Sequence, residues 1–163
     1  MPDHPLVSLA IRSIKYQLEN GRPLPCPDPL PEEFTTRAGT FVSIKKNRLL
    51  RGCIGTIQPK YANLAEEVIQ NAIKAANKDP RFPPIEVKEL DQLTISVDVL
   101  TAPEKIDDTE ALDVERYGLI VRSKGCNMAV VQVQHVVCLA DGRQPMSDQK
   151  HAARCTPLAQ IVH

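Results

Sequence analysis

Apolar residues recur at helical spacing from Pro5 to Asn20, where Leu6, Ala10, Ile14 and Leu18 form a stripe with Val7 and Ile11 beside it. Gly21 then supplies a C-terminal stop, so this segment is expected to be an amphipathic helix. Five prolines at alternate positions from Pro23 to Pro31 remove amide donors and predict a semi-rigid connecting loop. The period then changes. Thr40 to Lys45 and Arg48 to Ile57 are rich in β-branched and apolar residues around a Lys46-Asn47 turn signal, which predicts a β-hairpin. Asn63, with Glu66 three residues later, opens a second helix carried by Leu64, Val68, Ala72, Ile73, Ala75 and Ala76 to about Lys78. Asp79-Pro80-Arg81-Phe82-Pro83-Pro84 ends it. From Thr94 to Leu100, Ile95, Val97 and Val99 alternate with Thr94, Ser96 and Asp98, as in a half-buried strand of an antiparallel sheet. Gly118 to Arg122 reads as one more strand.

Composition narrows the function classes. The 163 residues carry 20 basic and 20 acidic side chains, so no overall field draws the protein toward nucleic acid or an anionic membrane. Hydrophobic residues make up 42% of the chain, enough for a packed core. Aromatic residues make up only 4% and Trp is absent, which leaves that core aliphatic and provides little for stacking single-stranded bases. The N-terminal segment has no unbroken apolar run, since Arg12 and Lys15 interrupt it, and the expectation is a soluble, cytoplasmic protein. Its five cysteines are then reduced thiols.

The segment Leu50-Arg51-Gly52-Cys53-Ile54-Gly55-Thr56 resembles the signature of the AMMECR domain family, whose bacterial members are protein A of the AmmeMemoRadiSam system. Downstream blocks appear in the same order as in the family: Asp79 to Pro84, Glu89 to Leu93, Pro103 to Ile106, and Tyr117 to Val121. A seven-residue signature followed by ordered blocks is far more specific than a lone glycine motif. The resemblance covers residues of about 5 to 123 and implies an α+β fold in which helices pack on an antiparallel sheet, with a larger and a smaller subdomain. It implies no cofactor and no established reaction. The partners it implies are a Memo-like protein and a radical-SAM protein. Two regions follow from this: 1–123 is the AMMECR-like domain, and 124–163 is a divergent or frame-altered segment. In that segment Met128 to Leu139 still reads as a strand, and loss of the usual closing elements would leave an open sheet edge.

Side chains alternate along a strand, which places Arg51 and Cys53 on one face of the second hairpin strand. A guanidinium beside a thiol favours thiolate, making Cys53 the candidate nucleophile. Gly52 and Gly55 let a ligand or another backbone approach closely; Thr56 completes the candidate binding strip. A buried packing cysteine and close helix packing account for the same letters. At the next corner, Arg81 can clamp a carboxylate or phosphate with Asp79 orienting it, or Asp79 can simply pair with Arg81 while Phe82 fills the core. Lys45, Lys46, Arg48 and Arg51 form a dense basic patch on the hairpin. His135, Cys138, His151 and Cys155 have the spacing of paired zinc ligands but lie beyond the resemblance, and no metal is expected. Three function classes remain in play. The first is a small enzyme or enzyme subunit in which Cys53 reacts and Arg51 or Arg81 binds an anionic group of a small molecule. The second is a non-enzymatic adaptor presenting the hairpin and sheet edge to a partner. The third and least favoured is a nucleic-acid binder, for which no base-reading apparatus is present.

Overall fold

The computed structural model describes residues 4–105, 118–123, 126–131 and 152–162. The chain forms two compact units, Met1–Val99 with Gln149–Arg154, and Leu100–Asp148 with Cys155–His163. In the first unit, helix α1 spans Pro5–Asn20. His4 caps its start, its Nδ1 accepting from the Leu6 amide at 3.2 Å. Gly21, at φ 69°, ends the helix and donates its amide to Gln17 O. The proline loop that follows packs Leu24, Cys26 and Leu30 against the core and leads into a short 3-10 turn with buried Phe34.

Strand β1 is Thr40–Lys46 and β2 is Leu49–Gly55, paired antiparallel. The turn falls one residue later than the sequence suggests: Asn47 and Arg48 take φ values of 51° and 68°, and Lys46 is the last paired residue of β1, opposite Leu49. A two-residue hairpin loop needs positive φ at both central positions to match the strand twist, and Asn is one of the few non-glycine residues that tolerates it. β2 also ends at Gly55, two residues short of Ile57. Helix α2 spans Leu64–Asn77, and Asn63 Oδ1 accepts from the Glu66 amide at 2.9 Å. Glu66 reaches back to the Ala62 amide, one residue ahead of the position a full capping box would use. A 3-10 turn over Val87–Gln92 leads into β3, Leu93–Lys105, which starts one residue earlier and runs longer than its alternating stretch.

β1 is central, with β2 on one side and β3 antiparallel on the other. Val42 and Ile44 pair with Val97 and Ile95, and these four are buried with Val68, Ile69 and Ala72 of α2 and with Val7, Ala10 and Ile14 of α1. The opposite face carries Ser43, Ser96, Thr94 and Asp98. In the second unit, β4 (Gly118–Ser123) pairs antiparallel with β5 (Cys126–Val131) and parallel with β6 (Ala152–Val162). The expected strand from Met128 to Leu139 is thus described only as far as Val131; its remainder lies outside the described residues. The fold is α+β, and among the described residues no helix is long and apolar enough to cross a membrane.

Candidate functional site

The signature strand is held against its surroundings residue by residue. Gly52 faces α2 so closely that a Cβ there would collide with the Ala75 carbonyl oxygen. Gly55 likewise abuts the Phe41 ring and the Thr40 carbonyl. What approaches Gly52 is therefore the protein's own helix. The α2 residue at that contact, Ala75, is itself small and buried.

Arg51 breaks the strand alternation. Ile44 pairs with Gly52 and Lys45 with Leu50, so Arg51 is the extra residue of a β-bulge. Its guanidinium reaches Glu89: Nη2 donates to Oε1 at 2.9 Å and Nε to Oε2 at 3.3 Å. The remaining donors go to the carbonyls of Pro83 (2.8 Å) and Pro84 (3.3 Å). Lys46 Nζ also donates to Glu89 Oε2 at 2.9 Å. With Arg51 as first cause, and Lys46 assisting against a burial cost, the Glu89 carboxyl is held down to about 2. The expected Arg51–Cys53 pairing is thus corrected: the bulge sends the guanidinium to Glu89, and the cation that acts on Cys53 is Arg81.

Cys53 is half-buried. Its thiol shares a hydrogen bond with Ser43 Oγ at 3.2 Å, across the strand pair. Its amide donates to Asp79 Oδ2 at 2.8 Å, and its carbonyl accepts from Arg81 Nη2 at 3.3 Å. The Asp79–Arg81 corner therefore takes the place of a neighbouring strand, satisfying at this residue the outward backbone groups that an edge strand leaves open. Asp79 is buried and accepts twice from the Arg81 guanidinium, at 2.7 and 2.9 Å, and from the Arg81 amide at 3.1 Å. The Arg81 side chain, chiefly, keeps that carboxyl well below the usual range. Burial pushes the Cys53 thiol up, which the Ser43 hydrogen bond and Arg81 oppose and the carboxylates of Asp98 and Asp79 reinforce. The expectation of a favoured thiolate is reversed for that reason.

Thr56 leads into a buried polar network that the sequence reading missed. Its hydroxyl donates to Glu67 Oε1, while the Lys60 and Tyr61 amides donate to Oε2 at 2.8 and 2.9 Å. Asn71 Nδ2 reaches Thr40 O, Thr40 Oγ1 and Thr56 Oγ1, all within 3.1 Å. Glu67 and Asn71 are fully buried, and Asn71 Oδ1 has no hydrogen-bond partner among the described residues. The signal was available: a Glu and an Asn four apart on the apolar face of α2, where solvated residues do not belong. Glu89 gave no comparable signal, because its partners are 38 and 43 residues away in sequence.

The structure thus brings Cys53, Asp79 and Arg81 together, places Arg51 with Glu89, and puts Gly52, Gly55 and Thr56 into packing and buried hydrogen bonds. Phe82 is half-buried, with the Arg81 guanidinium 5.5 Å from its ring centre. Among the described residues no group of three or more His, Cys, Asp or Glu side chains is placed to hold a metal ion. His135, Cys138 and His151 lie outside the described residues, and Cys155 is described only as backbone of β6.

A family model described as AMMECR1 matches residues 7–134. A Thermotoga maritima protein is 46% identical over 121 residues, covering 73% of this chain and 70% of its own. A Clostridium acetobutylicum protein is 46% identical over 126 residues; these make up 74% of this chain but only 27% of that longer one. Among solved structures, the crystal structure of an uncharacterized protein from Pyrococcus horikoshii superposes with a TM-score of 0.75 at 36% identity, covering 83% of this chain and 70% of that one.

Proposed function

Since the chain belongs to the AMMECR1 family, we propose that it is a binding module, a non-enzymatic adaptor that works by docking and not through the thiol of Cys53. The observation that supports this reading is the setting of that thiol. A nucleophilic cysteine needs a cation or a base that favours thiolate near neutral pH. Cys53 has the opposite balance, with burial first among the causes that raise its pKa. Arg81, the one cation among the described residues that acts on it, is committed to Asp79. His4, the only histidine among the described residues, caps α1. At Arg81 and Arg51 an anionic small molecule would likewise compete with Asp79 and Glu89.

In the Clostridium acetobutylicum relative the matched segment is one part of a longer chain. A Memo-like protein and a radical-SAM protein are the partners the family resemblance offers this module. A nucleic-acid role has less support, since the chain has no net charge to bring it to a polyanion.

Alkylation of the native protein with iodoacetamide at neutral pH, read by mass spectrometry, tests the proposal. Cys53 is expected to react more slowly than it does in the unfolded chain. Modification of native Cys53 many-fold faster than Cys26, with loss of a cellular phenotype in Cys53→Ser, would overturn it. That result would favour the enzyme reading, to which the half-exposure of Cys53 and its Ser43 neighbour at 3.2 Å lend some geometry.

A further inference from the structure

Three large apolar side chains stay exposed among the described residues: Leu49 at 73%, Val87 at 55% and Leu50 at 39%. Singly, such residues need no explanation. These three lie on two segments that one carboxylate joins. Glu89 sits two residues after Val87 and binds Lys46 and Arg51, which flank the hairpin tip that carries Leu49 and Leu50. The Val87 turn is further fixed because Glu89 Oε1 accepts from the Glu86 amide at 3.2 Å and Arg51 holds the Pro83 and Pro84 carbonyls. Both segments are therefore fixed in place before any partner arrives, which lowers the ordering cost of binding at them.

Around Val87 the charge is mixed, with exposed Glu86 and Lys88 paired to each other, whereas on the hairpin tip it has one sign. Residues 45 to 51 contain four cations and no acid. Glu89 offsets one, being shared by Lys46 and Arg51. Among the described residues the side chains of Lys45 and Arg48 make no ion pair, and Lys45 lies directly opposite Leu50. Strand addition along β2 is not available at Cys53, where Asp79 and Arg81 occupy the edge. What remains for contact on this side is the tip itself.

We infer that the hairpin tip Lys45–Leu50, together with Val87, is the docking surface of this module, and that it takes an acidic protein segment bearing apolar anchor residues. The inference rests on the binding-module reading and adds the place and the partner chemistry. Leu49 and Leu50 supply the apolar contacts, while Lys45 and Arg48 select for carboxylates and raise the encounter rate.

The test uses the full chain, labelled with 15N and titrated with a synthetic peptide of repeating Glu-Glu-Leu-Leu. Amide shifts are expected at residues 45 to 50 and at Val87, fading with added salt. Leu49→Ser with Leu50→Ser, and separately Lys45→Glu with Arg48→Glu, should each weaken binding about tenfold. Shifts confined to another surface, or equal binding of a peptide with Lys in place of Glu, would overturn the inference. So would sedimentation with phosphatidylglycerol vesicles in the absence of peptide-induced shifts, which would mark a lipid-facing tip. Slow Cys53 alkylation without hairpin shifts strikes this surface alone. Fast alkylation with hairpin shifts intact strikes the reading beneath it and leaves the surface standing.

Discussion

At Gly52 a single hydrogen in place of a methyl group decides how near β2 and α2 can come. A Cβ there would drive into the Ala75 carbonyl oxygen, which belongs to the helix backbone and cannot swing aside. Gly52→Ala is therefore expected to destabilise the protein by about 1–3 kcal/mol, the usual cost of overpacking a close contact, read as a lower urea midpoint with an unchanged slope. Cys53 lies beside this contact, and both of its backbone polar groups are held by Asp79 and Arg81. These roles were only partly legible in the letters. Two glycines around a cysteine announce that something comes close, and the sequence left open whether that was a ligand or another backbone. At Gly52 it is backbone. The Arg51–Cys53 pairing was misread because a period-of-two argument assumes an uninterrupted ladder, and a bulge at Arg51 breaks it. A bulge depends on the register with the partner strand, which no local pattern in β2 reveals.

Among the elements, the hairpin and the Val87–Gln92 turn act as one piece because Glu89 joins them. That joint is pH-dependent in a stated direction. The Glu89 carboxyl sits at about 2 in the folded chain, against about 4.3 in an unfolded one. A depressed pKa adds stability above the unfolded value and loses it as the pH falls through the folded value. Stability should therefore decline as the pH drops from about 4.3 to about 2, with Asp79, shifted the same way by Arg81, adding to the decline. Glu89→Gln is expected to cost roughly 1–3 kcal/mol at neutral pH, by leaving Arg51 and Lys46 less well paired, and to flatten the acid limb. Urea midpoints of both proteins over a pH series check this, and an identical acid limb in the variant would refute it. The helices were legible because their periodicity and caps are local: Asn63, Gly21 and the Asp79-Pro80 stop all act where the sequence places them. The hairpin was legible to within one residue at its turn, since both Asn47 and Arg48 take positive φ and only Asn47 advertises it.

For the whole molecule, the α+β class and the antiparallel packing of β1 with β2 and β3 follow from period and turn chemistry. Family membership follows from the signature and its ordered downstream blocks, and the family model extends through residue 134. The polar ties that organise the site were not legible. Glu89 to Arg51 and Asp79 to Cys53 join residues 38 and 26 positions apart, and no local pattern in either segment reveals the pairing. They leave the signature strand with its polar groups engaged inside the protein, and leave exposed apolar and cationic residues on the hairpin beside it. Cys53 thus belongs to the part of the molecule whose polar groups are engaged internally, apart from the exposed hairpin tip. With 13C-labelled cysteine, the Cβ resonance of Cys53 can be followed in the native protein from about pH 5 to about pH 10, a range that spans the ordinary thiol value of about 8.5. The midpoint is predicted to lie above that value, and a midpoint below neutrality would contradict the account.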